Sequence, residues 1–431
     1  PAGAGVKIAS VCVLGLGYIG LPTACTFAAR GVRVTGVDVN PQVVTSLQNG
    51  RAHIHEPGLR ELLAQAVGSG RLTVQQTPAE ADAFIIAVPT PFHEDKSADL
   101  RSVAAAAGSI VPVLRRGNLV VLESTSPPRT TLDVVAPILE SSGLVAGDDF
   151  YLTYSPERVL PGRILRELTE NARVVGGVNP ASAEAARDLY SLFVGGEIVM
   201  TDATTAEMVK LMENTYRDIN IAIANEFSRL AERFGVDVWE AITVANRHPR
   251  VKILNPGAGV GGHCISVDPW FLVKAAPDLT PLIAAARKVN DDQPGYVVER
   301  LRGLLGGELS GKRVAVLGLA YKPDVDDLRE SPAIKVVSML VEAGAQVTTY
   351  EPMDHDFTIP GAARASTLEE AVAGQEVIAL LVGHAPFRQM QPSELAARTP
   401  ARFVFDAVNA LDAALWRSSG FVLHRLGDGR T

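Results

Sequence analysis

The sequence predicts an α/β protein with two doubly wound, mostly parallel sheets joined by a central helical region that contains one long helix. Three observations predict it. A strand, glycine loop, helix and second strand follow one another near the start, and a similar run returns in the second half. Between the two, residues 203–234 lack Pro and Gly and repeat apolar residues at helical spacing. The 431 residues also exceed what one compact core organises.

In the first half, residues 11–15 (VCVLG) form a short buried-strand pattern, Leu21 to Ala29 a helix, and Arg33 to Val37 a second strand ending at Asp38. Further strands are expected at Ala83–Val88, Leu119–Leu122 and Tyr151–Tyr154, with helical or loop-like stretches between them. The long helix carries Met208, Leu211, Met212, Tyr216, Ile219, Ile223, Phe227 and Leu230. A helix of this length connects domains or packs against a partner chain. Residues 313–318 (RVAVLG) then echo residues 11–15. A helix end at Ser338–Ala343 and strands at Ala345–Tyr350, Val377–Leu381 and Phe403–Phe405 follow. The expected division is 1–200, 201–305 and 306–431.

Composition narrows the function classes. Hydrophobic residues make up 47% and charged residues 20%, as in ordinary globular domains. The net charge of −8 provides no basic field for nucleic acid or an anionic membrane. No apolar run is long enough to span a bilayer, and residues 1–9 lack the apolar core of a signal peptide. Three cysteines, Cys12, Cys25 and Cys264, give no disulfide framework and fit a reducing cytoplasm. No CxxC is present, and His263 beside Cys264 supplies no closed ligand set, so no metal is expected.

The first glycine loop, Gly15-Leu16-Gly17-Tyr18-Ile19-Gly20, leaves a strand and opens a helix. Gly15 permits the tight turn, Gly17 lets the backbone approach a pyrophosphate, and Gly20 lets helix and strand pack closely. The helix N-terminus offers free N–H groups to the phosphates. Asp38 stands where an acid meets the ribose hydroxyls, and its charge favours NAD over NADP. This half therefore reads as a Rossmann-like NAD-binding lobe. The second loop, Gly318-Leu319-Ala320-Tyr321-Lys322-Pro323, lacks the later glycines, so a second dinucleotide is not expected there. Two readings of Lys322 stay open: a partner for a substrate phosphate, or a solvated surface charge.

Residues 255–270 hold several glycines immediately before Cys264. Such a loop needs unusual backbone angles or a close approach by a ligand. Cys12 and Cys25 read as small core hydrophobes, whereas Cys264 reads as a reachable thiol. A thiol beside a dinucleotide has a specific use. It adds to an aldehyde, and the adduct carries a hydride on the same carbon for a second oxidation. Aldehyde dehydrogenation and alcohol-to-acid dehydrogenation both fit, and only the second also needs a base for the alcohol.

The motifs GLGYIGLP (15–22), EPGL (56–59), VPTP (88–91), STSPP (124–128), SPERVLPG (155–162), KLMENTYRD (210–218), GVGGHCISVDPWFL (259–272) and GLAYKPDVDDLRESPA (318–333) occur in this order. Together they resemble the UDP-glucose/GDP-mannose dehydrogenase family over essentially the whole chain. NRHPRV (246–251) and GHCISVDPW (262–270) look like its UDP-N-acetylmannosamine branch. Two positions depart from common family patterns: Pro161 stands where the UDP-glucose branch has a second Glu, and Val408 where an Arg is common.

The resemblance implies roles for single residues. Cys264 matches the nucleophile, and Lys210 matches the lysine near the reacting oxygen, as base or as oxyanion clamp. Asn214 lies one helical turn from Lys210. Asp268 is expected to orient Lys210 or a water, and Glu157 and Thr125 to hold water. Tyr18, Ile19, Thr90, Thr125 and Arg329 are carried over as NAD contacts. Arg158, Val159, Arg217, His248, Arg250 and Gly261 are expected around the nucleotide sugar, with Tyr321 and Lys322 facing the UDP. The resemblance further implies a UDP-sugar substrate and a homodimer formed through the central helices.

Overall fold

The computed structural model describes residues 8–353 and 356–430. The expected lack of a leader falls largely on residues 1–7, outside the described residues. The chain divides into two compact units, Pro1–Glu213 with Lys274–Ala276, and Asn214–Val273 with Pro277–Thr431.

The first unit is built on eight strands: β1 (Ser10–Leu14), β2 (Arg33–Val37), β3 (Leu72–Gln75), β4 (Ala83–Ile86), β5 (Leu119–Leu122), β6 (Tyr151–Tyr154), β7 (Arg173–Gly177) and β8 (Ile198–Asp202). Their order is β3-β2-β1-β4-β5-β6-β7-β8. Every neighbouring pair is parallel except β6–β7. The central strands bury both faces. Val11, Val13, Ala83, Ile85, Leu119 and Val121 join one core. Cys12, Leu14, Phe84, Ile86, Val120 and Leu122 join the other. Burial on both faces is why these strands read as continuous apolar runs. Helix α1 (Gly20–Ala29) follows β1, and α2 (Pro180–Tyr190) follows β7. Strand order reverses between β1 and β4, which opens a crevice at their C-terminal ends.

Helix α3 (Ala203–Phe234) matches the sequence reading end to end. Its apolar stripe is turned inward only in part: Leu211 is fully buried and Met208 and Ile219 are half-buried. Met212, Tyr216, Ile223, Phe227, Leu230 and Phe234 are exposed, Tyr216 at 66% and Phe234 at 73%. The buried positions of the same helix include Glu207, Lys210, Asp218, Asn225 and Ser228. These polar groups have partners. Asp218 pairs with Arg287 at 2.5 Å, and Asn225 donates to Asn290 at 2.9 Å.

In the second unit, α4 (Val238–Ala245), α5 (Asp268–Ala275), α6 (Pro281–Leu304) and α7 (Pro332–Glu342) accompany a six-stranded sheet. Its strands are β9 (Arg313–Leu317), β10 (Gln346–Tyr350), β11 (Ala363–Arg364), β12 (Val377–Leu380), β13 (Phe403–Asp406) and β14 (Val422–Arg425). Their order is β11-β10-β9-β12-β13-β14, all parallel. This repeats the order of the first six strands of the other sheet. Faces alternate again: Val314 and Val316 lie in one core, Ala315 and Leu317 in the other. Among the described residues no helix is long and apolar enough to cross a membrane.

Candidate active site

The first glycine loop has the local geometry its motif requires. Gly15 has φ +90°, and a Cβ there would lie 2.7 Å from the Ala87 carbonyl oxygen. A Cβ on Gly20 would lie 1.7 Å from the Gly15 carbonyl oxygen. A Cβ on Gly17 would meet nothing within 4 Å, so this glycine faces open space. The three glycines thus divide into two that the fold needs and one that leaves room for a phosphate. Asp38 accepts from the amides of Leu16 at 3.1 Å and Asn40 at 2.9 Å, which fixes its carboxylate beside the loop. Thr90 Oγ1 donates to the Thr125 carbonyl at 2.6 Å. Thr125 caps no helix and lies in the loop after β5. Glu207 of α3 accepts from the amides of Arg129 at 2.5 Å and Thr131 at 2.8 Å, anchoring the end of that loop.

The second glycine loop repeats the turn and closes it. Gly318 has φ +89° and its amide donates to Tyr350, as Gly15 donates to Val37. The amides of Leu319 and Ala320 both donate to Glu351 Oε2, at 2.7 and 3.0 Å. The same oxygen lies 3.1 Å from His384 Nε2. A carboxylate after the second strand therefore holds this turn as Asp38 holds the first, with the Ala320 amide bound as well. Helix α7 begins only at Pro332, after the Tyr321–Ser331 segment. Lys322 is half-buried, with Nζ 5.6 Å from the Tyr321 ring centre.

Within the first unit, Lys210 is 9% exposed, and its Nζ donates to the Glu157 carbonyl at 2.9 Å. A solvated helix charge is thereby ruled out for this lysine. Glu157 is held in turn. Its Oε1 accepts from the Arg158 amide at 2.9 Å and its Oε2 from Arg173 Nη1 at 2.9 Å. Arg158 pairs with Glu213 at 2.8 Å, and Val159 is half-buried beside it.

Within the second unit, the cysteine loop is shaped by close approach of the chain itself. A Cβ on Gly259 would lie 2.9 Å from Pro332, one on Gly261 2.7 Å from the Glu330 carbonyl oxygen, and one on Gly262 2.9 Å from the Tyr321 ring. Gly259 and Gly262 also have φ of +135° and +86°. The Gly262 amide donates to the Arg329 carbonyl at 3.0 Å. Cys264 is half-buried, and its carbonyl accepts from the Asp268 amide at 2.8 Å, at the head of α5. Asn214 Nδ2 donates to Asp268 Oδ2 at 2.6 Å. Burial pushes the Tyr321 hydroxyl up to about 12, and the charges of Asp327 and Cys264 add to the rise. Asp327 pairs with Arg329 at 2.6 Å and lies 3.9 Å from His263. His248 and Arg250 are exposed in the turn after α4, and Arg217 is exposed on α3. Cys12 and Cys25 are core residues, and burial pushes their thiols up to about 11 and about 12. Among the described residues no group of three or more His, Cys, Asp or Glu is placed to hold a metal ion.

Three domain models match in series. The NAD binding domain of the UDP-glucose/GDP-mannose dehydrogenase family matches residues 9–194, its central domain 204–292, and its UDP binding domain 315–413. The chain belongs to the UDP-glucose/GDP-mannose dehydrogenase family. It is accordingly an NAD-dependent nucleotide-sugar dehydrogenase, and the UDP binding domain fits a UDP-sugar substrate. A UDP-N-acetyl-D-mannosamine dehydrogenase from Methanococcus maripaludis is 46% identical over 430 residues, covering 98% of each chain. An NDP-N-acetyl-D-galactosaminuronic acid dehydrogenase from Ralstonia nicotianae is 48% identical over 404 residues, covering 91% of this chain and 95% of that one. The solved UDP-D-ManNAc dehydrogenase of Pyrococcus horikoshii superposes with a TM-score of 0.91 at 41% identity, covering 98% of this chain and 100% of that one.

Sequence reasoning passed over Arg173, Glu123, Tyr190 and Glu351 in this dehydrogenase. The signal for Glu351 was available, since it ends β10 as Asp38 ends β2. Arg173 and Glu123 flank apolar strands and gave no local sign that they meet.

Proposed function

We propose that this dehydrogenase oxidises the C6 alcohol of UDP-N-acetyl-D-mannosamine to the carboxylate of UDP-N-acetyl-D-mannosaminuronate. The carrying observation is the 46% identity to a UDP-N-acetyl-D-mannosamine dehydrogenase across 98% of both chains. The half-buried Cys264 in its glycine-rich loop supports the four-electron course.

NAD, when bound, takes up the hydride removed in each of the two oxidations. Gly15, Gly17, Tyr18, Ile19, Gly20, Asp38, Thr90, Thr125 and Arg329 are assigned to holding it. Lys210 acts at the C6 oxygen, as base for the alcohol proton or as a clamp on the oxyanion. Cys264 Sγ adds to the aldehyde carbon and forms a thiohemiacetal, whose oxidation leaves a thioester. Water then attacks the thioester carbonyl, the C–S bond breaks, the sulfur regains a proton and the carboxylate leaves. With Pro161 replacing a second Glu, Glu157 and Thr125 are left to hold that water. Asp268, which accepts from the Asn214 amide, is assigned to orienting Lys210 or the water. Arg158, Val159, Arg217, His248, Arg250, Gly261, Tyr321 and Lys322 are assigned to the nucleotide sugar. Residues 1–200, 201–305 and 306–431 are the proposed NAD-binding, central and UDP-sugar-binding domains.

The working form is a homodimer through the central helices. Its support is the exposed apolar stripe of α3 and an apolar groove of about 360 Å³ lined by Phe227, Leu230, Phe234, Val236 and Ile242. A second copy is the occupant that an extended apolar helix face suits. The reducing cytoplasm is the proposed compartment, because the mechanism needs Cys264 in its reduced state.

The 48% identity to an NDP-N-acetyl-D-galactosaminuronic acid dehydrogenase favours one second reading, an N-acetylgalactosamine sugar. NADH formation with UDP-linked N-acetylmannosamine, N-acetylgalactosamine, N-acetylglucosamine and glucose decides among them. The proposal expects two NADH per sugar and the highest kcat/KM with N-acetylmannosamine. Turnover of another sugar without that one overturns it.

A further inference from the structure

The first unit buries an ionic cluster of which the roles above use Glu157 alone. Arg173, the first residue of β7, is 4% exposed. Its Nε donates to Ser155 Oγ at 3.0 Å, its Nη1 to Glu157 Oε2 at 2.9 Å, and its Nη2 to Glu123 Oε1 at 2.7 Å. The guanidinium lies 3.7 Å from the centre of the Tyr190 ring. Tyr190 Oη donates to the same Glu123 oxygen at 2.5 Å. Two carboxylates thus share one buried cation.

The cluster grips the segment that meets Lys210. Ser155 and Glu157 stand on either side of Pro156, whose ring restricts the backbone between them. Arg173 holds both ends of this tripeptide, and Ser155 Oγ also donates to the Val174 carbonyl at 2.8 Å. The Glu157 carbonyl is the acceptor for Lys210 Nζ at 2.9 Å. One guanidinium therefore fixes a carboxylate and, two bonds away, a lysine.

We propose that Arg173 is a positioning residue for the oxidation, placing the Glu157 carboxylate and the Lys210 ammonium through its three-way grip on Glu123, Ser155 and Glu157. This rests on the reading that Lys210 and Glu157 act at the reacting groups. The planar fork of arginine matters, because a lysine there keeps the charge but presents a compact ammonium on a flexible stem. Glu123 sets the pull from the opposite side. Burial pushes its carboxyl up to about 7, with the Glu157 charge adding to the rise and Arg173 and Tyr190 opposing it. Arg173, Glu157 and Tyr190 are the charged and titratable groups that face it. Ionisation of Glu123 then changes how the guanidinium is shared.

The test uses the full-length enzyme with UDP-N-acetylmannosamine and NAD, or whichever sugar the panel selects. A shift of about 1 Å in a reacting group costs about 10²-fold. Arg173→Lys is accordingly expected to lower kcat about 10²-fold, with the NAD dissociation constant within about twofold of wild type. Ser155→Ala, a gentler change, is expected to lower kcat several-fold in a protein that stays folded at the assay temperature, with a lowered melting temperature from the two buried hydrogen bonds it loses. Glu123→Gln is expected to remove an inflection near neutrality from the pH profile of kcat. Wild-type kcat and pH profile in folded Arg173→Lys overturns the proposal. So does a purely structural pattern, in which Arg173→Lys melts while Ser155→Ala and Glu123→Gln match wild type in kcat and profile. Lys210→Ala and Glu157→Gln separate the two layers. If both retain wild-type kcat, the underlying reading has failed. If they lose activity and the Arg173 series does not, only the positioning role has failed.

Discussion

The side-chain amide of Asn214 donates to Oδ2 of Asp268 at 2.6 Å, joining a residue of the long helix α3 to the first residue of α5. Asp268 is 2% exposed and Asn214 half-buried, so the acceptor side of this bond is sheltered from water. The aspartate sets which way the amide points. Asp268→Asn keeps the shape and removes the charge that orients the amide. Turnover is expected to fall by about 10²-fold or more, while NAD affinity stays near wild type. Adding Asn214→Ala to that variant is expected to cost less than the two single losses combined, because the residues act as a unit. Steady-state kinetics of the two singles and the double check this.

Cys264→Ser tests the covalent course. Acid formation is expected to fall by more than about 10³-fold, because an alkoxide nucleophile is far less available than a thiolate. NAD titration is expected to be unchanged. Mass spectrometry of quenched wild-type turnover should find a sugar adduct on the Cys264 peptide. Acid production at the wild-type rate in the serine variant would refute the mechanism.

Gly17 and Gly20 separate binding from folding. A Cβ on Gly17 meets nothing within 4 Å, whereas one on Gly20 lies 1.7 Å from a backbone oxygen. Gly17→Ala should therefore fold normally and raise the NAD dissociation constant by about tenfold, about 1.4 kcal/mol. Gly20→Ala should lose about 1–3 kcal/mol of stability through overpacking. Thermal melts with and without NAD distinguish the two.

The raised Glu123 carboxyl implies a pH dependence of stability. This carboxyl is raised from 4.5 to about 7 by burial in the folded chain. The unfolded chain ionises first, so this group's contribution to stability is complete below about pH 4.5 and is lost as pH rises towards about 7. The wild-type melting temperature, measured against Glu123→Gln, should decline across that window and run level above it. A constant difference from pH 4 to pH 8 contradicts the shift.

The open face of α3 makes an assembly prediction. Leu230 and Phe234 are 48% and 73% exposed and line the apolar groove. Leu230→Asp with Phe234→Asp should convert a dimer to a monomer by light scattering, at little cost to the monomer's own fold. A dimer that survives both changes places the interface elsewhere.

Local chemistry made much of this protein legible from its sequence. The first and second α/β runs, the end-to-end span of α3 and the strands at Leu119–Leu122 and Tyr151–Tyr154 all appear where apolar pattern and glycines put them. A strand buried on both faces must be apolar throughout, and a glycine with positive φ has few substitutes. Strands β7 and β8 escaped that logic. Two glycines end β7, and β8 is largely exposed at the sheet edge.

Tertiary structure alone decided the rest. It left much of the apolar stripe of α3 exposed and buried Asp218 and Asn225 instead, because partners such as Arg287 and Asn290 come from far along the chain. It showed that the glycines before Cys264 make room for Tyr321 and Pro332. It also brought Glu123, Glu157, Arg173 and Tyr190 together. Periodicity reports which side of an element is apolar, while partners distant in sequence determine whether a charge is buried and what it holds.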